Sequence, residues 1–199
     1  MKDLKQFIKT TIREFLNERY KISNLPNDTI LLSDIRDGES TFLLYNKNTK
    51  TPIGYISFGL YPIINSYTVG GAYSKHGYGP FLYECVMTYV YPNGLSMSRD
   101  GSTSFDALEV WEKFDKRGDV RKERMYSDEI THKKEDLPSG GMFDDEPESL
   151  ERIFELEDTR FFYNFGKDKL DILIKNGKEY MKHNNITGKD VEYMSWDLE

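Results

Sequence analysis

The sequence predicts an α/β protein whose central sheet is mixed but mostly antiparallel and is flanked by helices, with a C-terminal extension. Three observations lead to this prediction. Short runs of β-branched and aromatic residues follow one another across polar turns, which favours antiparallel neighbours. After Gly79 the hydrophobic period changes from two to about 3.6, as expected where a strand gives way to a helix. A polar, acidic stretch then separates this region from a last group of apolar runs.

Composition and charge limit the class of protein. A chain of 199 residues that is 38% hydrophobic can bury one substantial core. The net charge of -7 opposes general attraction to nucleic acid or to an anionic membrane. Cys85 is the single cysteine, so an intrachain disulfide is excluded and a cytoplasmic location is expected. No stretch approaches the roughly 20 apolar residues that a membrane span needs, and no signal peptide is expected.

The first part of the chain is predicted to form one helix and four strands. The helix ends near Tyr20 and has an apolar stripe. The strands are predicted at residues 29–32, 41–45, 52–60 and 67–73, with a polar hairpin tip at 46–50. The residues of the helical stripe are Leu4, Phe7, Ile8, Thr11, Ile12, Phe15 and Leu16.

The next predicted elements alternate between helix and strand. Pro80 suits the first position of a helix that runs to about Val90 and buries Cys85. A strand at 95–98 precedes a helix that is capped by Ser104 and contains Trp111, which is also predicted to lie in the core. A last strand is predicted at 120–126.

Three segments are therefore predicted. Residues 1–127 form the core, residues 128–149 form an acidic linker or surface loop, and residues 150–199 form a C-terminal helical extension packing on the core. Within the extension, the pattern favours a short helix from residue 150, a strand or packing segment at 161–163, and a helix at 170–180.

A glycine-rich turn joins the fourth predicted strand to the following helix. Its sequence from Ser74 is Ser-Lys-His-Gly-Tyr-Gly-Pro. Glycine lets the backbone approach an anion without a Cβ in the way, and the first amides of a helix have no partner in that helix. The amides of Gly77, Tyr78 and Gly79 are thus candidates to bind a diphosphate. The alternative is that these glycines, with Gly70 and Gly71, only permit tight turns or a bulge.

This strand, turn and helix resemble the acetyl-CoA-binding motif of the GNAT family of N-acetyltransferases, whose pattern is Arg/Gln-x-x-Gly-x-Gly/Ala. The segments 94–98 and 107–114 occupy the places of the next GNAT strand and helix. The resemblance covers the core, residues 1–127, and suggests the GNAT fold. The region also resembles GNAT-like proteins encoded by bacteriophages, which would place the protein in the host cytoplasm or the virion.

The resemblance implies an acyltransferase that uses acetyl-CoA as co-substrate and acetylates a small-molecule or protein amine. In that interpretation the catalytic candidates that move protons are His76, Tyr78 and Asp100. The residues expected to bind the cofactor are Tyr73, Ser74, Lys75, Gly77, Tyr78 and Gly79. His76 also has the simpler interpretation of a solvated loop histidine.

Three departures from the family pattern support an alternative. Ser74 stands where the motif has Arg or Gln, and Trp111 stands where many members carry a proton-donating Tyr. Residues 54–73 contain no Asp or Glu that could act as a base. The alternative is a catalytically inactive GNAT-fold viral structural or host-interaction protein, acting through a protein partner or as a homo-oligomer.

A basic run that begins at the end of the third predicted helix offers a third interpretation, nucleic-acid binding, which the overall acidity disfavours. Interspersed acidic residues favour an ordinary solvated surface. No spacing of Cys, His or acidic residues predicts a metal site. The basic residues are Lys113, Lys116, Arg117, Arg121, Lys122 and Arg124.

Overall fold

The computed structural model describes residues 25–75, 77–98, 103–125 and 147–198, so the helix predicted before Tyr20 lies outside the described residues. In these ranges the chain forms one seven-stranded sheet and five α-helices. The strands are β1 Thr29–Asp34, β2 Glu39–Asn46, β3 Thr51–Tyr61, β4 Ser66–Ser74, β5 Leu95–Ser96, β6 Arg121–Arg124 and β7 Thr159–Phe162. The helices are α1 Gly79–Tyr89, α2 Phe105–Asp115, α3 Pro147–Glu157, α4 Lys167–His183 and α5 Gly188–Trp196.

The sheet is open and mixed, in the order β1-β2-β3-β4-β5-β7-β6. Strands β1 to β4 form an antiparallel meander, because the connections between them are too short for a crossover. Strand β5 lies parallel to β4, and helix α1 provides the connection. Strand β7 is antiparallel to both of its neighbours. The predicted α/β class, with a mixed, mostly antiparallel sheet and flanking helices, is confirmed.

The main hydrophobic core lies on one face of the sheet, here called the packed face. Helix α1 contributes Phe81 and Cys85 to it, and helix α2 contributes Trp111 and Phe114. All four side chains are almost completely buried. The predicted burial of Cys85 and Trp111 is confirmed.

Helix α4 crosses the edge strand β1 so closely that only glycine fits at the crossing. A Cβ on Gly177 would lie 1.9 Å from the carbonyl oxygen of Leu31. On one side of the crossing Leu170 joins the packed face, and on the other side Met181 joins a smaller core on the opposite face. The helix therefore covers an edge that would otherwise be free to pair with another chain.

Helix α5, which contributes Val191 to the smaller core, was not predicted from the sequence. It starts with a capping box in which the Thr187 hydroxyl accepts from the Asp190 amide and the Asp190 carboxylate accepts from the Thr187 amide. We call this opposite side of the sheet the open face, because α5 covers only part of it.

The C-terminal extension also contributes a strand to the sheet. Strand β7 inserts between β5 and β6, and helix α3 begins at Pro147, inside the stretch predicted as a linker. The predicted strand 95–98 is shorter in the structure, where β5 comprises only Leu95–Ser96. Among the described residues, no helix is long and apolar enough to span a membrane.

Candidate functional site

Strand β4 loses one of its two neighbours halfway along its length. It pairs with β5 only through Tyr67, opposite Leu95, and Thr68, opposite Ser96. Its pairing with β3 continues to Ser74. Beyond Thr68, the edge of β4 that faced β5 has no strand partner among the described residues. The two parallel strands therefore part after two paired positions, and we call the region beside the unpaired edge of β4 the cleft.

A β-bulge lies at the start of this cleft. Val69 lies opposite Phe58. Gly71 lies opposite Ser57, so Gly70 between them has no partner position of its own. A bulge changes by one position which residues direct their N–H and C=O groups toward each neighbouring strand.

Two hydrogen bonds define which backbone groups face the cleft. Before the bulge, the Tyr67 N–H donates to the Gly94 carbonyl at 3.3 Å, toward β5. After the bulge, the Lys75 N–H donates to the Ile53 carbonyl at 2.8 Å, toward β3. Backbone direction alternates along a strand. Ala72 and Ser74 therefore point their backbone groups to the open edge after the bulge, and Val69 points to the same side before it.

The glycine turn follows directly, at the same end of the strand. Gly77 has a φ of 77°, a conformation that favours glycine. The Tyr78 N–H donates to the Lys75 carbonyl at 3.5 Å, the long limit of a hydrogen bond. Among the described residues, no backbone carbonyl accepts from the N–H groups of Gly77, Gly79 or Phe81. Within the described part of the chain these three amides lack a backbone acceptor, whereas the Tyr78 amide, predicted to be free, is partly engaged.

The structure brings most of the predicted site residues to this turn. Tyr73 is 42% exposed at the end of β4, and Lys75 is exposed next to it. The Ser74 hydroxyl would lie 3.3 Å from a Cβ on Gly79. Tyr78 is half-buried against the core of the packed face.

Two predicted catalytic residues, His76 and Asp100, lie outside the described residues. The catalytic set of His76, Tyr78 and Asp100 therefore remains a prediction.

A polar group on the open face adjoins the bulge and was missed by the sequence analysis. A Cβ on Gly70 would lie 3.0 Å from the Glu39 carboxylate oxygen Oε1 and 3.0 Å from the Ser57 hydroxyl. A Cβ on Gly71 would lie 3.2 Å from the Tyr55 hydroxyl. The absence of side chains on both glycines leaves this space to the three polar groups.

Glu39 was missed because it belongs to β2, two strands away from the bulge. It lies opposite Gly59 of β3, and Gly59 lies opposite Thr68 of β4. Since Gly59 has no side chain, the Glu39 side chain can extend across β3 toward Gly70. The register of the first three strands, combined with Gly59, was the only signal in the sequence.

Glu84 of helix α1 carries a buried carboxylate with a structural role. Glu84 forms an ion pair with Arg117, which also pairs with Asp119 at 2.7 Å. The Arg117 guanidinium lies 4.7 Å from the centre of the Tyr163 ring. Burial raises the pKa of Glu84, although the hydrogen bond from Arg117 acts in the opposite direction. This cluster ties α1 to the segments that follow α2 and β7.

The basic run is largely neutralised by neighbouring groups. Its pairs include Lys113 with Glu109 at 3.4 Å and Lys116 with Glu112 at 3.0 Å. Arg121 lies 3.8 Å from the centre of the Phe162 ring. The remaining pairs are Arg117 with Glu84 and Asp119, Lys122 with Asp115, and Arg124 with Glu155. This arrangement favours a solvated surface over a nucleic-acid interface.

Metal binding finds no support in the described part of the chain, where no cluster of three or more His, Cys, Asp or Glu side chains is arranged to hold an ion.

Comparison with known proteins adds no relative, since no protein-family model, no curated protein and no solved structure matches this chain. The function must therefore be inferred from the cleft itself, formed by the bulged edge of β4, the glycine turn and the polar group at Glu39.

Proposed function

We propose that this protein is a GNAT-like acyltransferase that transfers an acetyl group from acetyl-CoA to an amine. The observation that carries the proposal is the combination of a bulged, unpaired edge of β4 with a glycine turn that opens helix α1. The two features follow each other along one strand, so a single extended ligand with an anionic end can contact both.

The anionic end of the cofactor fits the glycine turn. Amides at a helix start carry a partial positive charge and bind phosphate groups readily. Gly77, Gly79 and Phe81 have amides with no backbone acceptor among the described residues. Pro80 lacks an N–H but suits the first turn of the helix. These three amides are the groups that would hold the pyrophosphate.

The amide-bearing arm of the cofactor fits the open edge of β4. An extended chain with amide groups can pair with an unpaired strand edge as another strand would. Ala72 and Ser74 direct their backbone groups to that edge, and Val69 does so just before the bulge. Pairing along this edge would direct the acyl group toward Gly70, where the open face and the cleft meet.

The reaction assigned to this cleft is a direct transfer. The amine nitrogen attacks the thioester carbonyl carbon, the new N–C bond forms, and the C–S bond breaks with the electron pair leaving on sulfur. A backbone amide at the bulge stabilises the negative charge that develops on the carbonyl oxygen. The Glu39 carboxylate accepts the proton lost by the amine, and Tyr78, one of the predicted catalytic residues, is a candidate to protonate the departing thiolate.

Isothermal titration with acetyl-CoA tests the cofactor part of the proposal. We expect the wild-type protein to bind and a Gly77→Val, Gly79→Val double variant to lose binding, because the new side chains obstruct the turn. A matched control is Gly118→Val, since nothing lies within 4 Å of a Cβ at that exposed glycine. Wild-type protein that does not bind acetyl-CoA at millimolar concentration would refute the proposal.

A transfer assay tests the chemistry. Acetyl-CoA is supplied with a panel of primary amines, namely lysine-containing peptides, spermidine and an aminoglycoside, and release of coenzyme A is followed. We expect Glu39→Gln to lower the rate by about 100-fold, the lower range for loss of a general base. Its affinity for acetyl-CoA should not change. A full rate in the Glu39→Gln variant would remove this residue from the mechanism.

The second candidate is a catalytically inactive GNAT-fold protein with a structural or host-interaction role. The observation that favours it is the position of Trp111, which is 1% exposed and packs at 5.1 Å from both Tyr83 and Phe161, so a core residue stands where many GNAT members carry the proton donor. This candidate predicts that no amine of the panel is acetylated even where acetyl-CoA binds.

A further inference from the structure

The turn between β1 and β2, residues 35–38, leads directly into Glu39 and packs over the neighbouring strand. The carbonyl oxygen of Gly38 would lie 2.8 Å from a Cβ on Gly59. The turn is closed by two 3.3 Å hydrogen bonds, one from the Arg36 N–H to the Ser40 hydroxyl and one from that hydroxyl to the Arg36 carbonyl. Ser40 is 6% exposed, so the closure is anchored in the core.

The side chain of Arg36 connects this turn to the C-terminal helix α5. It donates to the Glu192 carboxylate at 2.8 Å and also forms an ion pair with Asp34. The same helix meets the end of β1, where a Cβ on Gly188 would lie 2.3 Å from the Asp34 carboxylate. Two separate contacts therefore hold α5 against the strand and the turn that precede Glu39.

We infer that Arg36 and Glu192 act as positioning residues for Glu39, so that helix α5 forms part of the acceptor side of the cleft. This inference rests on the proposed function, in which Glu39 accepts the proton of the amine. Glu39 itself is exposed and has no cationic partner among the described residues, so its own contacts do not fix it. Its position depends on the turn before it, and the turn is fastened to α5 across 156 residues of sequence.

The expected effect is moderate, because the pair is partly exposed: the side chains of Arg36 and Glu192 are 44% and 35% exposed. Exposed ion pairs contribute little to stability. Catalysis is more sensitive, because a small displacement of a reacting group slows a reaction that depends on orientation. Loss of the pair should therefore affect kcat while stability and cofactor affinity change little.

The test compares Glu192→Gln and Arg36→Gln with Lys116→Gln, which removes a similar exposed pair on α2. We expect the first two variants to lower kcat about three- to fivefold with an unchanged affinity for acetyl-CoA. The control should retain the wild-type kcat. Hydrogen exchange of the amides of residues 36–39 should accelerate in the two variants and not in the control.

A double-mutant cycle separates positioning from general support of the fold. In a Glu39→Gln background, Glu192→Gln should cause no further loss of kcat, because the group that it positions is already absent. An undiminished loss in that background would overturn the inference, and so would unchanged exchange at 36–39. If wild-type protein does not bind acetyl-CoA, the proposed function fails, and the exchange measurement alone decides whether α5 holds the turn.

Discussion

The two faces of the sheet next to β4 are built from different residues. On the packed face, Val69 is buried in the core to which α1 and α2 contribute aromatic and aliphatic side chains. On the open face, Gly70 and Gly71 leave space that is bordered by Glu39 and other polar groups. The change from one kind of surface to the other takes place within three consecutive residues of one strand.

This contrast indicates how one strand can serve two purposes. The first half of β4 is held on both sides by neighbouring strands and supplies stability. Among the described residues, the second half has a strand neighbour on one side only, so the backbone groups of its other edge have no strand partner there. Three variants probe the packed face, the glycine turn and the rim of the packed face, and they are taken here from the largest expected effect to the smallest.

The largest effect is expected from Trp111→Ala on the packed face. Trp111 is 1% exposed and contacts Tyr83 edge-to-face at 5.1 Å, so its removal leaves a large cavity. Substitutions of this kind cost about 3–5 kcal/mol of unfolding free energy. Urea denaturation measures the loss. If the two faces are independent, the variant still binds acetyl-CoA in the cold, where it remains folded.

At the glycine turn we expect a substitution to change the affinity for acetyl-CoA more than the stability. Gly77 has a φ of 77°, and an alanine there would cost about 1–2 kcal/mol of strain. If the turn relaxes to avoid that strain, its amides move, and the affinity for acetyl-CoA falls about tenfold for each 1.4 kcal/mol lost. Gly77→Asn is the matched variant, because Asn tolerates positive φ, and it should retain most of the affinity. Equal affinities for the Ala and Asn variants would contradict this role of Gly77.

The difference between local and long-range contacts explains which features could be predicted from the sequence. Strands β1 to β4 were predicted because runs of β-branched and aromatic residues between turn residues are local signals, and so was helix α1, where Pro80 follows the glycine turn. The insertion of β7 between β5 and β6 was not predicted, since pairing between segments far apart in sequence has no local pattern. Helix α5 was missed although the capping pair Thr187 and Asp190 is visible in the sequence.

The candidate site was predictable only in part, for a related reason. The turn could be predicted from its glycines, because a positive φ such as that of Gly77 is favoured by glycine. The polar group of the open face depends on the registers of three strands, and Glu39 reaches the bulge only because Gly59 lies between. A search for carboxylates limited to residues 54–73 therefore overlooked it.

The smallest effect is expected at the rim of the packed face, where Asp115 contrasts with Glu39. Asp115 pairs with Arg152 at 2.5 Å and with Lys122 at 3.5 Å, whereas Glu39 has no cationic partner among the described residues. Burial acts to raise the pKa of Asp115, but the hydrogen bond and charge of Arg152, with help from Lys122, hold that pKa below its ordinary 3.8. The ionised carboxylate therefore stabilises the folded state.

A lowered pKa in the folded state gives a stabilisation that is present above pH 3.8 and is lost as the pH falls through the folded-state pKa. Asp115→Asn should thus cost about 1 kcal/mol at neutral pH, at the upper end for a pair with partial solvent exposure. The difference from wild type should shrink in acid. Glu109→Gln is the control, because that carboxylate is 72% exposed and its variant should differ little from wild type at either pH. A difference for Asp115→Asn that stays constant down to the lowest pH would show that Arg152 stabilises the rim through packing rather than through charge.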